Sequence, residues 1–367
     1  GCWARDGSIG RRPPGSCLAR RGPGRFRVDR VAPGRFENNT LASRHIMTIN
    51  PKHVLCTALG LCLGLWVSPA AAAEPPITSV AFAPNGKTAV ACSQAGVRVY
   101  SWPELKQQAT FKAAAVNLHD VAFSPSGNRL AVGGGTPTED GSVEIFSWPA
   151  GKSLKVLGGH GNLVMGLAWL SESSLAAASL DHSVTLWNTR TGARQRRLEG
   201  HSRGVSSLCF LPKEKILVST GVDRSLRVWK PGSGRLIHSL NIHTRRVHNL
   251  ALRPGGEGLP MVASVSDDRS VRLWQPTIGR MVRFARLKSR PLDADWLPDG
   301  SRVVVSCSDG HVRVVDPLTV KVTRDIAALE GWAYSVAVHP TDGSILVAGQ
   351  DGQLRRIVPP GTVSNRP

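Results

Sequence analysis

The chain has 367 residues, a formal net charge of +20 and 41% hydrophobic residues. That apolar content is enough to bury a sizeable core and too much for a chain disordered throughout. Its seven cysteines are too few and too scattered for a disulfide framework.

Residues 1–46 carry ten arginines against Asp6, Asp29 and Glu37. The segment is crowded with Arg, Gly and Pro and has no hydrophobic period, so it reads as disordered and as lying upstream of the true start at Met47. Lys52 and His53 then form a short positive region, Val54 to Val67 an apolar one, and Ala70 to Ala73 a small-residue cleavage site. This pattern predicts a secretory signal peptide over residues 47–73 and a periplasmic or extracellular protein. The apolar run is shorter than the roughly 20 residues of a spanning helix, and Ser68-Pro69 ends it, so no membrane association is expected after cleavage. Neither Cys56 nor Cys62 follows the small residues of a lipid-attachment signal. Removing residues 1–73 leaves 35 basic and 23 acidic residues, a charge of +12, and three cysteines, Cys92, Cys209 and Cys307, which sit in apolar strand-like runs as buried thiols.

From Ile77 onward one phrase recurs about every 40 residues, the period of a four-stranded propeller blade. Each copy opens with a short alternating strand and usually a proline: Val80-Ala81-Phe82-Ala83-Pro84, Val121-Ala122-Phe123-Ser124-Pro125, Leu208-Cys209-Phe210-Leu211-Pro212. A second strand leads to a turn residue, Gln94, Asp140, Asp181, Asp223, Asp268, Asp309 or Asp351. Aspartate suits such turns because its carboxylate accepts from nearby backbone N–H groups. Six residues later comes a large apolar side chain: Tyr100, Phe146, Trp187, Trp229, Trp274, Val315 or Ile357. Seven copies predict an all-β fold, a seven-bladed β-propeller of four-stranded antiparallel blades over residues 74–367. The blades fall near 77–115, 116–159, 160–200, 201–242, 243–287, 288–330 and 331–365, the last completed by Thr362 to Asn365 without a strand exchanged between the chain ends.

The third, fourth and fifth copies also place a histidine ahead of the blade, His160, His201 and His243. With them the chain resembles the WD40-repeat (G-beta repeat) propeller family, in its bacterial secreted form. Asn188, Lys230 and Gln275 stand where that family's pattern has Asp after Trp. The resemblance implies structural networks joining His160 with Asp181 and Trp187, His201 with Asp223 and Trp229, and His243 with Asp268 and Trp274, each completed by a strand Ser or Thr.

Catalytic signatures are missing from the sequence: no His-Glu-x-x-His, no Gly-x-Ser-x-Gly, no Walker loop. Gly133-Gly134-Gly135-Thr136 lacks a following lysine and a helix to open, and reads as a flexible insertion between two strands. His238, His243 and His248 are five residues apart, but strand geometry separates them. Asp293 and Asp295 share one side of a strand and read as solvated carboxylates near the central channel. No catalytic residue, cofactor or metal is therefore expected.

The family resemblance implies binding at the narrow face, where Thr78, His119, Met165, Ser206, His248, Leu292 and Tyr334 begin the inner strands. On consecutive blades 5 to 7, Arg246, His248, Arg290, Trp332 and Tyr334 form one aromatic and cationic patch, the residue types that dominate interface hot spots. The expected function is a non-enzymatic, monomeric interaction scaffold for protein partners, acidic because the surface is basic. Nucleic acid is disfavoured by secretion. The alternatives are an anionic envelope polymer, or a propeller hydrolase or lyase acting in the channel mouth.

Overall fold

The computed structural model describes residues 74–255 and 258–358. Over these, the chain forms seven antiparallel sheets taken in sequence order. Six have four strands; blade 5, for example, runs Val247–Leu252, Val262–Ser266, Ser270–Gln275, Arg280–Arg286. In blade 7 the described strands are Ala333–Val338, Ile345–Gly349 and Leu354–Ile357. Its expected outer strand at Thr362 to Asn365, the leader-like 47–73 and the Arg-rich 1–46 all lie outside the described residues. The described residues contain two short 3-10 turns and no helix long and apolar enough to cross a membrane.

Strand composition follows position in the blade. Second strands are covered by neighbours on both faces, so Ile216–Gly221, Val262–Ser266, Val303–Cys307 and Ile345–Gly349 are buried at every residue. Outer strands face solvent: in Arg194–Glu199 only Leu198 is buried. Val, Ala and Ser fill the first kind because small and β-branched side chains fit between two closely packed sheets.

The core is divided among the blade interfaces. Seven apolar clusters occur among the described residues, one for each pair of adjacent blades. Trp229 of blade 4 packs on Ala176 and Ala178 of blade 3, and Trp274 of blade 5 on Val218 and Val228 of blade 4. The ring is closed by Ile77, Ala89 and Tyr100 of blade 1 against Ala337, Leu346 and Ala348 of blade 7. There, the imidazole of His339 also meets the Gly86 carbonyl at 2.9 Å.

The glycine run corrects the expectation of a flexible insertion. Gly133 to Gly135 lie inside the strand Arg129–Thr136 and are buried. A Cβ on Gly134 would stand 2.2 Å from the Asn117 carbonyl oxygen, and one on Gly133 2.8 Å from Val164 of the next blade. Glycine is required there by close approach of backbone and neighbour, not by mobility. The three described cysteines are free and buried, and burial pushes the Cys92 and Cys209 thiols up to about 12.

Candidate partner-binding face

Three sets of polar residues are built onto this frame: the blade-rim networks, a ring of small polar residues around the channel, and the mouth of the channel itself.

In blade 4 the rim network is complete. His201 Nδ1 lies 2.9 Å from Asp223 Oδ2, His201 Nε2 2.7 Å from Ser219 Oγ, and the Trp229 indole N–H donates to the same Oγ at 2.8 Å. Blade 5 repeats it with His243, Asp268, Ser264 and Trp274 at 2.8, 2.7 and 2.8 Å. Because the carboxylate only accepts, Nδ1 carries the imidazole proton. Nε2 then accepts from the serine hydroxyl, whose oxygen accepts from the tryptophan. Burial alone would raise the aspartates, yet the His201 and Ser225 hydrogen bonds bring Asp223 down to about 2, and Asp268 is held lower still by His243 and Ser270.

Blade 3 keeps one link: His160 Nδ1 lies 2.8 Å from Asp181 Oδ2. Where blades 4 and 5 have Ser219 and Ser264, blade 3 has Ala177. The His160 Nε2 and Trp187 Nε1 atoms are accordingly buried without a hydrogen-bond partner. Blade 6, which lacks the histidine, uses buried Arg313 instead, its guanidinium 3.0 and 2.7 Å from the two oxygens of Asp309.

The second set was not recognised from sequence. Three residues before each inner-strand anchor stand Ser79, Asp120, Gly166, Ser207, Asn249, Asp293 and Ser335. Each polar member reaches the next blade. Ser79 Oγ donates to Asp120 Oδ1 at 3.1 Å, Asp120 Oδ2 accepts from the Leu167 amide at 2.7 Å, and Ser207 Oγ donates to Asn249 Oδ1 at 2.7 Å. Asn249 donates to Asp293, whose Oδ2 accepts from Ser335 Oγ at 2.7 Å and the Val336 amide at 2.9 Å. Ser335 Oγ in turn accepts from the Val80 amide at 3.2 Å, back in blade 1. The step from blade 3 to blade 4 is the gap, because Gly166 has no side chain and a Cβ there would stand 2.9 Å from Ser207 Cα.

Asp293 and Asp295 are therefore not solvated carboxylates. Asp293 is 8% exposed, and Asp295 accepts from the Val338 and Trp296 amides at 2.8 Å each. Burial pushes Asp120 and Asp295 up to about 7, against the amides that hold them, and raises Asp293 too. Their oxygens hold blades together instead of converging on a substrate.

At the channel mouth, Thr78, His119, Met165, Ser206, His248, Leu292 and Tyr334 all line one cavity of about 490 Å³, together with Arg246 and Trp332. Trp332 is 37% exposed, its ring 5.8 Å from Tyr334 and 5.0 Å beneath the Arg290 guanidinium. His248 is not free: its Nε2 lies 2.9 Å from Asp267 Oδ1. Asp267 is kept below the usual carboxylate range by His248, despite partial burial, with further help from Arg290 and Arg246. Arg246 is half-buried and its Nε has no hydrogen-bond partner. Burial, aided by Arg246, also lowers the His119 imidazole. Of the three spaced histidines, His243 belongs to the rim network, His248 to Asp267, and His238 lies 3.3 Å from the Thr277 carbonyl.

The family model described as WD domain, G-beta repeat matches residues 70–101, 105–147, 151–188, 192–230, 234–275 and 288–316. Nuclear distribution protein nudF 1 of Talaromyces marneffei is 27% identical over 140 residues, 37% of this chain and 30% of that protein. Nuclear distribution protein PAC1 of Arthroderma benhamiae is 28% identical over 158 residues, 40% of this chain and 33% of that protein. Human WD repeat-containing protein 43 is 34% identical over 104 residues, 28% of this chain and 15% of that protein. The chain thus spans about a third or less of the length of these relatives.

Proposed function

The chain belongs to the WD-domain, G-beta repeat family, and from that premise we propose that it is a non-enzymatic platform that grips an acidic protein partner at the channel mouth on blades 5 to 7. The observation that carries this reading is Trp332: a large aromatic side chain left 37% exposed, roofed by Arg290 at 5.0 Å and beside Tyr334. A rigid, exposed aromatic flanked by arginine buries much area at little entropic cost, which is how hot spots form. The ring of inter-blade hydrogen bonds supports the reading from below, because it holds the inner strands that present these residues.

Its proposed place is the periplasm or the extracellular space, on the strength of the leader pattern from Met47 to Ala73. N-terminal sequencing of the protein recovered from cells tests this: a terminus near Glu74 supports export, and a retained Met47 segment removes it. The relatives' names speak of nuclear distribution; over so short a shared length they favour the repeat scaffold and not that role.

The test of the platform is affinity purification of the tagged protein, wild type beside Trp332→Ala/Arg246→Ala, with bound proteins identified by mass spectrometry. A partner recovered by the wild type and lost by the variant is expected. Equal recovery by both discards the patch. Retention that falls steeply with salt and ignores Trp332→Ala would instead favour the anionic-polymer alternative, for which the basic surface is the motive.

A further inference from the structure

Beside the channel mouth, on the loops of blades 4 to 6, two pockets adjoin. One, of about 440 Å³, is walled by Arg203, Arg224, Arg245 and Arg246; the other, of about 430 Å³, by Arg245, Arg269, Arg286 and Arg290. Arg245 and Asp267 border both. None of the seven arginines forms an ion pair among the described residues, while Arg227, Arg272 and Arg313 on the same blades do. Like charges gathered in excess of their counter-ions repel, and a fold gains nothing from that excess by itself.

A second observation points the same way. Arg224 and Arg269 occupy the turn position after the network aspartate with φ of +68° and +61°, a left-handed conformation that disfavours any residue with a Cβ. Blade 6 places Gly310 at that turn with φ of +75°. The conformation belongs to the repeated turn, since His182 of blade 3 shares it with φ of +73°, but in blades 4 and 5 the side chain placed there is an arginine that lines a pocket.

We propose that these pockets form a twin site for a ligand carrying two phosphoryl groups, one per pocket, with Arg245 between them. Charge selects the class. Each pocket sets four arginines against two aspartates, Asp223 and Asp267 in one, Asp267 and Asp268 in the other, a net of two positive charges. A carboxylate neutralises one of these; a phosphoryl dianion neutralises both and offers three terminal oxygens to planar guanidinium forks. The site shares Arg246 and Arg290 with the channel-mouth patch but does not rest on that reading, because a small anion needs no protein partner to fill it.

The test is titration of the full chain, at constant ionic strength, with inorganic tripolyphosphate, with a peptide bearing two adjacent phosphoserines, and with citrate as a carboxylate of comparable charge. Tripolyphosphate or the phosphopeptide should bind at least tenfold more tightly than citrate; binding of the first marks free phosphate chains as the source, and of the peptide alone a modified protein segment. Arg245→Ala should weaken that binding at least tenfold. Arg269→Gly should weaken it severalfold without lowering the melting temperature, because glycine relieves the turn. Equal affinity for citrate, no binding of either phosphate probe, or binding indifferent to both variants overturns the proposal.

Discussion

At the rim of blades 3 to 5 each network aspartate faces a histidine; around the channel, Asp120, Asp293 and Asp295 face only amides, hydroxyls and the Asn249 amide. The same residue type is driven in opposite directions. A partner that donates from an imidazole brings Asp223 down to about 2, whereas burial near a second carboxyl sends Asp295 up to about 7. The two regions therefore answer pH with opposite signs, and the fold is held by two devices that no single condition weakens together.

The channel carboxyls should move stability the most. Asp120 and Asp295 have folded values of about 7, above the 3.8 of an exposed aspartate. Their contribution is full below 3.8 and is lost as pH rises through 7, by at most about 4 kcal/mol for each group. Thermal melts should show falling stability between pH 5 and 8, and Asp295→Asn, which keeps an acceptor for the Val338 amide, should flatten that fall. On the rim the sign reverses: Asp223 loses its contribution as pH drops from 3.8 through about 2, and His243, lowered by burial, adds to the loss on acidification. Stability that is level or rising from pH 5 to 8 in the wild type would remove the channel carboxyls from this account.

Within the rim, blades 3 and 5 differ in how fully the histidine is bonded. His243→Ala removes an imidazole bonded at both nitrogens, so that Asp268 and Ser264 each lose one buried partner, at a cost of about 3 kcal/mol. His160→Ala removes one bonded nitrogen and one already orphaned, so about 1–2 kcal/mol is expected. Chemical denaturation of the two variants checks the order; equal losses would mean that the serine link adds nothing. Ser219→Ala, which converts blade 4 to the blade 3 pattern, should cost about 2 kcal/mol by leaving His201 Nε2 and Trp229 Nε1 buried and unpaired.

The propeller was legible because its signal is periodic: an apolar inner strand, an aspartate turn and a large apolar residue recur in register, and the seven sheets follow that register. The channel-mouth positions were legible for the same reason, since equivalent residues of a ring meet at its axis. The polar ring was not. Ser79, Asp120, Asn249 and Asp293 appear as ordinary strand residues until their partners, some 40 positions away, are brought beside them. The arginine pockets were hidden too: Arg203 and Arg245, like Arg224 and Arg269, hold equivalent repeat positions, but Arg286 ends an outer strand and only the fold brings it beside them. The glycine run misled because close packing and mobility both select glycine, and only the neighbours distinguish them.

The smallest effect runs in the opposite direction, as a repair. Ala177 is fully buried at the position of Ser219 and Ser264, between an imidazole nitrogen that needs a donor and an indole N–H that needs an acceptor. One hydroxyl supplies both at once, as it does in blades 4 and 5. Ala177→Ser adds a single oxygen, so the packing change is slight, and two buried polar atoms become satisfied. A gain of about 1 kcal/mol is expected, the net worth of a hydrogen bond after the serine hydroxyl is itself taken from water. The informative control is the double variant Ala177→Ser/His160→Ala: with the imidazole gone the hydroxyl keeps only the tryptophan, and the gain should shrink or change sign. If Ala177→Ser alone lowers the melting temperature, the blade 3 pocket is already closed around its unpaired atoms, and the resemblance between the three rims ends at the histidine–aspartate link.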